Sequence, residues 1–314
     1  EKNDVVTFGL VKHVNDPNRR LVKLNFFGAA KPKWDDREKL EMELEPLLRG
    51  KEIADALLNH SDRLYIKNFV NTSLEVPKIL DRSAITRYKR LVTAYRAALS
   101  SAGLEPPNEL NKAYIKGLFG EDLRSAMREN DSQDPIMSGD YISAAEVFGR
   151  EVVSWDDLTR ALKSLRAFIQ DKSSGFSEFD RTYRAGHDGK SWADEKLTGL
   201  LAIFEYDNGV KQLRPLQEQH SPDENEDYAK VIANLLREGK LVIIDQSLGD
   251  PEMNRSAAER IMWAIFERQK QDFVQPQVDR EGKVLPPPEV LVYAEEAHNL
   301  LPSGTHFDTR NIWS

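Results

Sequence analysis

Two short runs in the last third of the chain limit what it can fold into. Leu241-Val242-Ile243-Ile244 runs into Asp245, and Val290-Leu291-Val292-Tyr293-Ala294 runs into Glu295-Glu296. Neither alternates polar with apolar, so each reads as a strand buried on both faces, as in a parallel sheet covered by helices. Between them Ala258, Ile261, Met262, Ile265 and Phe266 recur at helical spacing, with Arg255, Glu259, Arg260, Glu267 and Arg268 around the other side. Strand, helix, strand predicts a βαβ unit with a right-handed crossover. The acids then stand at the carboxyl edge of one sheet, where open α/β sheets bind ligands.

The first residues speak a similar language. DVVTFGLVKH from Asp4 and LVKLNFF from Leu21 are rich in Val, Leu and Phe and are parted by Asn15, Asp16, Pro17 and Asn18, which predicts two strands around a turn. From Asp35 to Asn208 the spacing is helical instead. Leu40, Leu44, Leu47 and Leu48 form one stripe, Leu91, Val92, Tyr95, Ala98 and Leu99 another, and Leu158, Leu162, Leu165 and Ile169 a third behind a cap at Ser154. Breaks are expected at Pro106-Pro107, across residues 131–139 and at Ser173-Ser174-Gly175. The acidic stretch 221–227 leads to a helix from Tyr228 to Arg237, which Gly239 stops. The division expected is residues 1–30 as early strands of an α/β core, 31–225 as a mainly helical insertion, and 226–314 as the rest of the core.

Composition removes several classes of function. No apolar run approaches the roughly 20 residues that cross a bilayer, so no membrane partner is expected. The absence of cysteine excludes disulfides, thiolate catalysis and Cys-ligated metals. With no secretory leader visible, a cytoplasmic location is expected. A net charge of −8 argues against a globally basic nucleic-acid coat, though not against a local basic strip. The chain opens at Glu1 rather than Met, and the expectation is a fragment or a processed chain.

Adjacent acids at the end of a buried strand have a use in phosphoryl transfer: one holds Mg²⁺ through its water shell, and the next orients and polarises an attacking water. Acids after a strand are also commonly just solvated loop residues. The wider string bears on that choice. LVYAEEAHNLLP, from Leu291 to Pro302, resembles the Walker B segment of the HerA-like branch of the FtsK–HerA P-loop ATPases, and GKLVIIDQSLGDPEMNRSAAERI, from Gly239 to Ile261, resembles the strand and helix that precede it there. The resemblance spans the residues from Glu238 to the end and, weakly, the opening strands; the helical middle carries none of it. It implies an α/β P-loop NTPase core of RecA/FtsK type with a large mainly helical insertion. Glu295 would be the metal-side acid and Glu296 the catalytic base, with ATP and Mg²⁺ as cofactors. It further implies a ring-forming motor, a hexamer by analogy, that translocates double-stranded DNA beside a nuclease or other effector, as in antiphage defence.

Two features depart from that pattern. Glu stands at 295 where such ATPases more often carry Asp, a difference a contact made through water absorbs. More seriously, no G-x-x-x-x-G-K-[ST] is present: the one Gly-Lys-Ser, Gly189-Lys190-Ser191, has Arg184 where the first glycine is needed and no apolar strand before it. By family order the phosphate loop would precede Glu1. His298 could contact a phosphate or a neighbouring subunit, or serve structure alone. Arg82, Arg87, Lys89, Arg90 and Arg96 occur without an intervening acid, with Tyr88 and Tyr95 alongside. That face suits DNA phosphates or a partner protein, or is a solvated helix surface. The competing class is a non-hydrolysing ATPase-like scaffold that binds partners through its helices.

Overall fold

The computed structural model describes residues 4–59, 61–206, 208–247, 251–276, 284 and 286–295. In chain order the elements are β1 (Val5–Gly9), β2 (Arg20–Leu21), α1 (Arg37–Glu43), α2 (Glu45–Leu58), α3 (Leu64–Asn71), α4 (Arg82–Ser101), β3 (Ala113–Tyr114), α5 (Glu121–Arg128), α6 (Pro135–Phe148), β4 (Val152–Val153), α7 (Trp155–Gln170), α8 (Phe176–Ala185), α9 (Glu195–Leu201), α10 (Tyr228–Arg237), β5 (Leu241–Asp245) and α11 (Pro251–Val274). They form two compact units. Residues Glu1–Leu24 and Glu224–Ser314 make one, and Asn25–Asp223 the other.

The first unit is α/β. Its three strands are ordered β2-β1-β5 and all run parallel, with Val5 opposite Leu241 and Gly9 opposite Asp245. α10 starts at an Asp227 cap, whose carboxylate accepts from the Ala229 N–H at 2.9 Å. It ends at Gly239, whose φ of +76° only glycine takes without strain; the Lys240 N–H then closes back on the Leu235 carbonyl. Ile232 and Ala233 of α10 and Ala257, Ala258, Ile261 and Ile265 of α11 are buried as these helices pack together. The opposite sheet face, with Val5, Leu241 and Ile243, stays largely exposed.

Two expectations change in this unit. The opening strands do not form a hairpin: β2 is two residues long and lies parallel to β1. The reason is local. Asp16 folds the connection back, accepting from the Thr7 hydroxyl at 2.6 Å and from Arg19 at 3.3 Å, which brings Arg20 level with Phe8. Val22 and Leu24 beyond β2 are buried without extending it. Residues 290–294, expected as a further parallel strand, form neither strand nor helix, and Leu291 is 94% exposed. A run apolar on both faces is stable as a strand only when both are covered, and among the described residues the outward face of β5 has no second layer over it.

The second unit is built around α4. An Asp81 cap, accepting from the Ala84 N–H at 2.7 Å, starts this helix, and from Arg90 to Leu99 every residue is buried. A helix apolar on nearly all sides belongs in the middle of a unit. α7, capped by Ser154 at 3.0 Å from the Asp157 N–H, lays Leu158, Leu162, Leu165 and Phe168 inward, and it packs on both α4 and α6. Aromatic pairs fill the interior, among them Phe119 stacked on Phe148 at 4.0 Å and Tyr141 edge-on to Phe168 at 5.2 Å. The break expected across 131–139 is shorter than that: α6 begins at Pro135 behind an Asp134 cap, and Gly139 lies inside the helix.

Candidate functional site

Parallel register brings the ends of β1 and β5 to one edge, and a charged network closes it. The Arg19 guanidinium donates to Asp245 at 2.9 Å and to Asp16 at 3.3 Å, while the Ser247 N–H donates to the other Asp245 oxygen at 3.0 Å. Gly9 lies beneath it, and a Cβ there would stand 2.9 Å from the guanidinium, so a side chain at this position would push Arg19 aside. Beyond β5 the Gln246 and Asn254 amides bond to each other's main-chain carbonyls at 3.0 and 2.9 Å, which fastens the loop to α11.

The electrostatics follow from these contacts. The Ser247 hydrogen bonds, then Arg19, hold the Asp245 carboxyl below its ordinary range. The Thr7 hydroxyl, then Arg19, do the same for Asp16. Partial desolvation alone would lower Arg19, but hydrogen bonds to Asp16 and Asp245 hold it up. One guanidinium thus lies between two ionised carboxylates, and an incoming phosphate would have to displace them to reach it.

The predicted site residues fall as follows. Glu295 is exposed in a turn that follows the unpaired residues 290–294, and Glu296 and His298 lie outside the described residues. Lys190 is exposed on a loop whose order comes from Asp180: that carboxylate accepts from the Ser191 hydroxyl and the Trp192 N–H, each at 2.8 Å, and from Arg184 at 2.7 Å. Ser191 is therefore committed to the loop's own structure. Among the described residues no group of three or more His, Asp or Glu is placed to hold a metal ion, and no helix is long and apolar enough to cross a membrane.

Of the basic residues on α4, Arg82 is exposed and Arg87 and Lys89 are half-buried, but Arg90 and Arg96 belong to no docking or solvated face. Arg96 is buried and donates to the carbonyls of Phe27 at 2.8 Å and Ala29 at 2.7 Å. Arg90 is buried as well, donating to Leu118 at 2.9 Å and Trp192 at 3.1 Å with its guanidinium 3.9 Å over the Trp192 ring. Burial lowers both to about 10, still charged at neutral pH. A signal was present in the sequence: Leu91 to Leu99 is small or apolar around most of the helix, leaving no polar side for these arginines to share.

Comparison of the chain with protein-family models, with curated proteins and with solved structures gives no match.

Proposed function

We propose that this chain supplies the Walker B part of an ATP-driven motor of the HerA-like kind, with the phosphate loop contributed from outside these 314 residues. Glu295 holds the water shell of Mg²⁺ and Glu296 polarises the water that attacks the γ-phosphate. The motor is a cytoplasmic hexameric ring on double-stranded DNA that acts with a nuclease or other effector, as in antiphage defence. The carrying observation is the run LVYAEEAH, from Leu291 to His298, placed after a β5 whose end shares one edge with the end of β1 in a parallel sheet. Ligands bind at such edges. The test is Glu296→Gln in the protein together with its phosphate loop. ATP should still bind while turnover falls by about 10² to 10⁴, and a variant keeping more than half its activity contradicts the assignment.

A second reading has its own support. The Asp16–Arg19–Asp245 network keeps the edge closed and Ser191 is bound to Asp180, an arrangement that suits a scaffold binding partners without hydrolysis. Calorimetry of the 314-residue chain with Mg²⁺-ATP separates one point at issue. Binding should be weak and indifferent to Lys190→Ala; micromolar binding abolished by that substitution would make residues 189–191 a phosphate loop after all.

A further inference from the structure

We propose that the outward face of α11 is a seam for a second copy of this chain, with the two α11 helices lying antiparallel. The argument begins with spacing. Trp263, Phe266, Lys270 and Phe273 follow one another at three- and four-residue steps, with Val274 beside the last. That is the alternation along which one helix packs on another, here with a single charged residue, Lys270, in the line. The seam occupies about 17 Å of helix. It is not the stripe that holds α11 in its own unit: Ala257, Ala258, Ile261 and Ile265 are buried on the other side, where α11 meets α10. A helix apolar on two opposite sides belongs between two layers, and among the described residues one of those layers is α10 and the other is not supplied.

The seam is open and large enough to matter. Trp263 is 44% exposed, Phe266 51%, Phe273 76% and Val274 67%. The Trp263 and Phe266 rings already stand edge to face with centroids 5.7 Å apart, so part of the surface is shaped before anything docks. At these exposures, with the stems of Glu267 and Lys270 between the apolar groups, one copy offers roughly 700 Å². Two copies then bury about 1,400 Å², inside the ~1,200 to 2,000 Å² of specific complexes.

Charge selects the occupant and its direction. Glu267 and Lys270 are exposed, and at 3.8 Å their contact within one helix is long for an ion pair. In a parallel pair each Lys270 would meet the other copy's Lys270, which repels. In an antiparallel pair, with the two-fold axis between residues 268 and 269, Lys270 of each copy comes level with Glu267 of the other and beside its Phe266 ring, while Trp263 of each lies against Phe273 and Val274 of the other. One two-fold operation thus gives each group of the seam a matching surface on the second copy. Such a contact closes at two copies, unlike the head-to-tail contacts of a ring. It uses neither Glu295 nor Glu296, so it stands or falls separately from the ATPase reading.

The experiment is sedimentation of the whole 314-residue chain from about 1 to about 200 μM in about 0.1 M salt. A monomer–dimer equilibrium is expected, half complete at about 10 μM, as suits an interface of this size. Phe273→Glu should weaken pairing about tenfold or more. Glu267→Lys and Lys270→Glu should each weaken it about three- to tenfold by setting like charges together. An equimolar mixture of those two variants should pair about as well as the original chain, because each supplies the charge that the other lacks. All three positions are exposed, so the fold of the unit does not depend on them. The proposal is overturned if the chain stays monomeric throughout, whether a different protein or the chain's own helical unit then covers the seam. It is also overturned if Phe273→Glu pairs undiminished, or if the mixture pairs no better than either variant alone.

Discussion

In the helical unit Arg90 and Arg96 lie buried on main-chain carbonyls, whereas in the α/β unit Arg19, Arg237 and Arg260 each meet a carboxylate, Asp245, Asp272 and Asp227 respectively, at 2.8 to 2.9 Å. The two arrangements fail differently. An ion pair removed as a pair leaves nothing stranded, and apolar replacements are often neutral. An arginine removed from main-chain carbonyls leaves buried acceptors without their donor. The apolar side chains differ as well: Tyr95, Tyr141 and Phe168 are fully enclosed in the helical unit, while Leu241, Ile243, Trp263 and Phe266 of the α/β unit are about half exposed. One unit is thus cross-linked from within through its buried arginines, and the other leaves half-exposed apolar side chains on its sheet and on α11.

The sharpest way to break this comparison is Arg96→Met. It keeps much of the volume but leaves the Phe27 and Ala29 carbonyls unpaired, and should cost about 3 to 5 kcal/mol, read as amide exchange in α4 under mild denaturant. A loss below about 1 kcal/mol would mean that water replaces the guanidinium and that the helical unit is less sealed than described.

A smaller effect comes from Lys51 and Asp55 of α2. Burial pushes the Asp55 carboxyl up to about 6 although Lys51 sits against it, and burial likewise lowers the Lys51 ammonium. The sign follows directly: the folded chain keeps on Asp55 a proton that the unfolded chain releases above about pH 4. This group's contribution is therefore present at low pH and lost as pH rises through about 6, a change of about 2 kcal/mol allowing for partial exposure. Urea unfolding followed through α2 should show that trend between pH 4.5 and 7, and Asp55→Asn should flatten it.

The smallest effect expected is at Ile243→Thr in β5. A half-exposed side chain on an uncovered face loses little burial, so the cost should stay below about 1 kcal/mol in hydrogen exchange of β5. A larger loss would show that something covers this face in solution.

Legibility in the sequence divides along the same line. The stripes Leu91-Val92-Tyr95-Ala98-Leu99 and Leu158-Leu162-Leu165 were plain, and so were the Ser154 cap and the stop at Gly239, because helical spacing and capping are written within a few residues of where they act. Of the third stripe's last member and its neighbour, Phe168 rather than Ile169 is fully buried. The role of Arg96 was not legible, since it depends on carbonyls 69 and 67 positions away. The parallel pairing of β2 was hidden for a related reason: a side chain, Asp16, and not a turn signature, sets the path between the strands. At the candidate site Asp245 was placed correctly at the end of a strand, but its partner Arg19 comes from 226 positions earlier and had no local mark.

That long separation has a consequence for how the chain reaches its structure. Asp4 and Lys240, at the start of the paired strands, are 236 positions apart, so the sheet needs the ends of a very long loop to meet. If the helical unit forms first, with its ends joined where the Phe26 N–H meets the His220 ring, the stretch still free to wander shrinks to roughly 40 residues, and the entropy of closure falls by about 1.5 kcal/mol. Contacts of this range form slowly when they must be found from a disordered chain. The order of events during synthesis would then run from the middle outwards, with β1 waiting for β5 until the residues between them have emerged and folded.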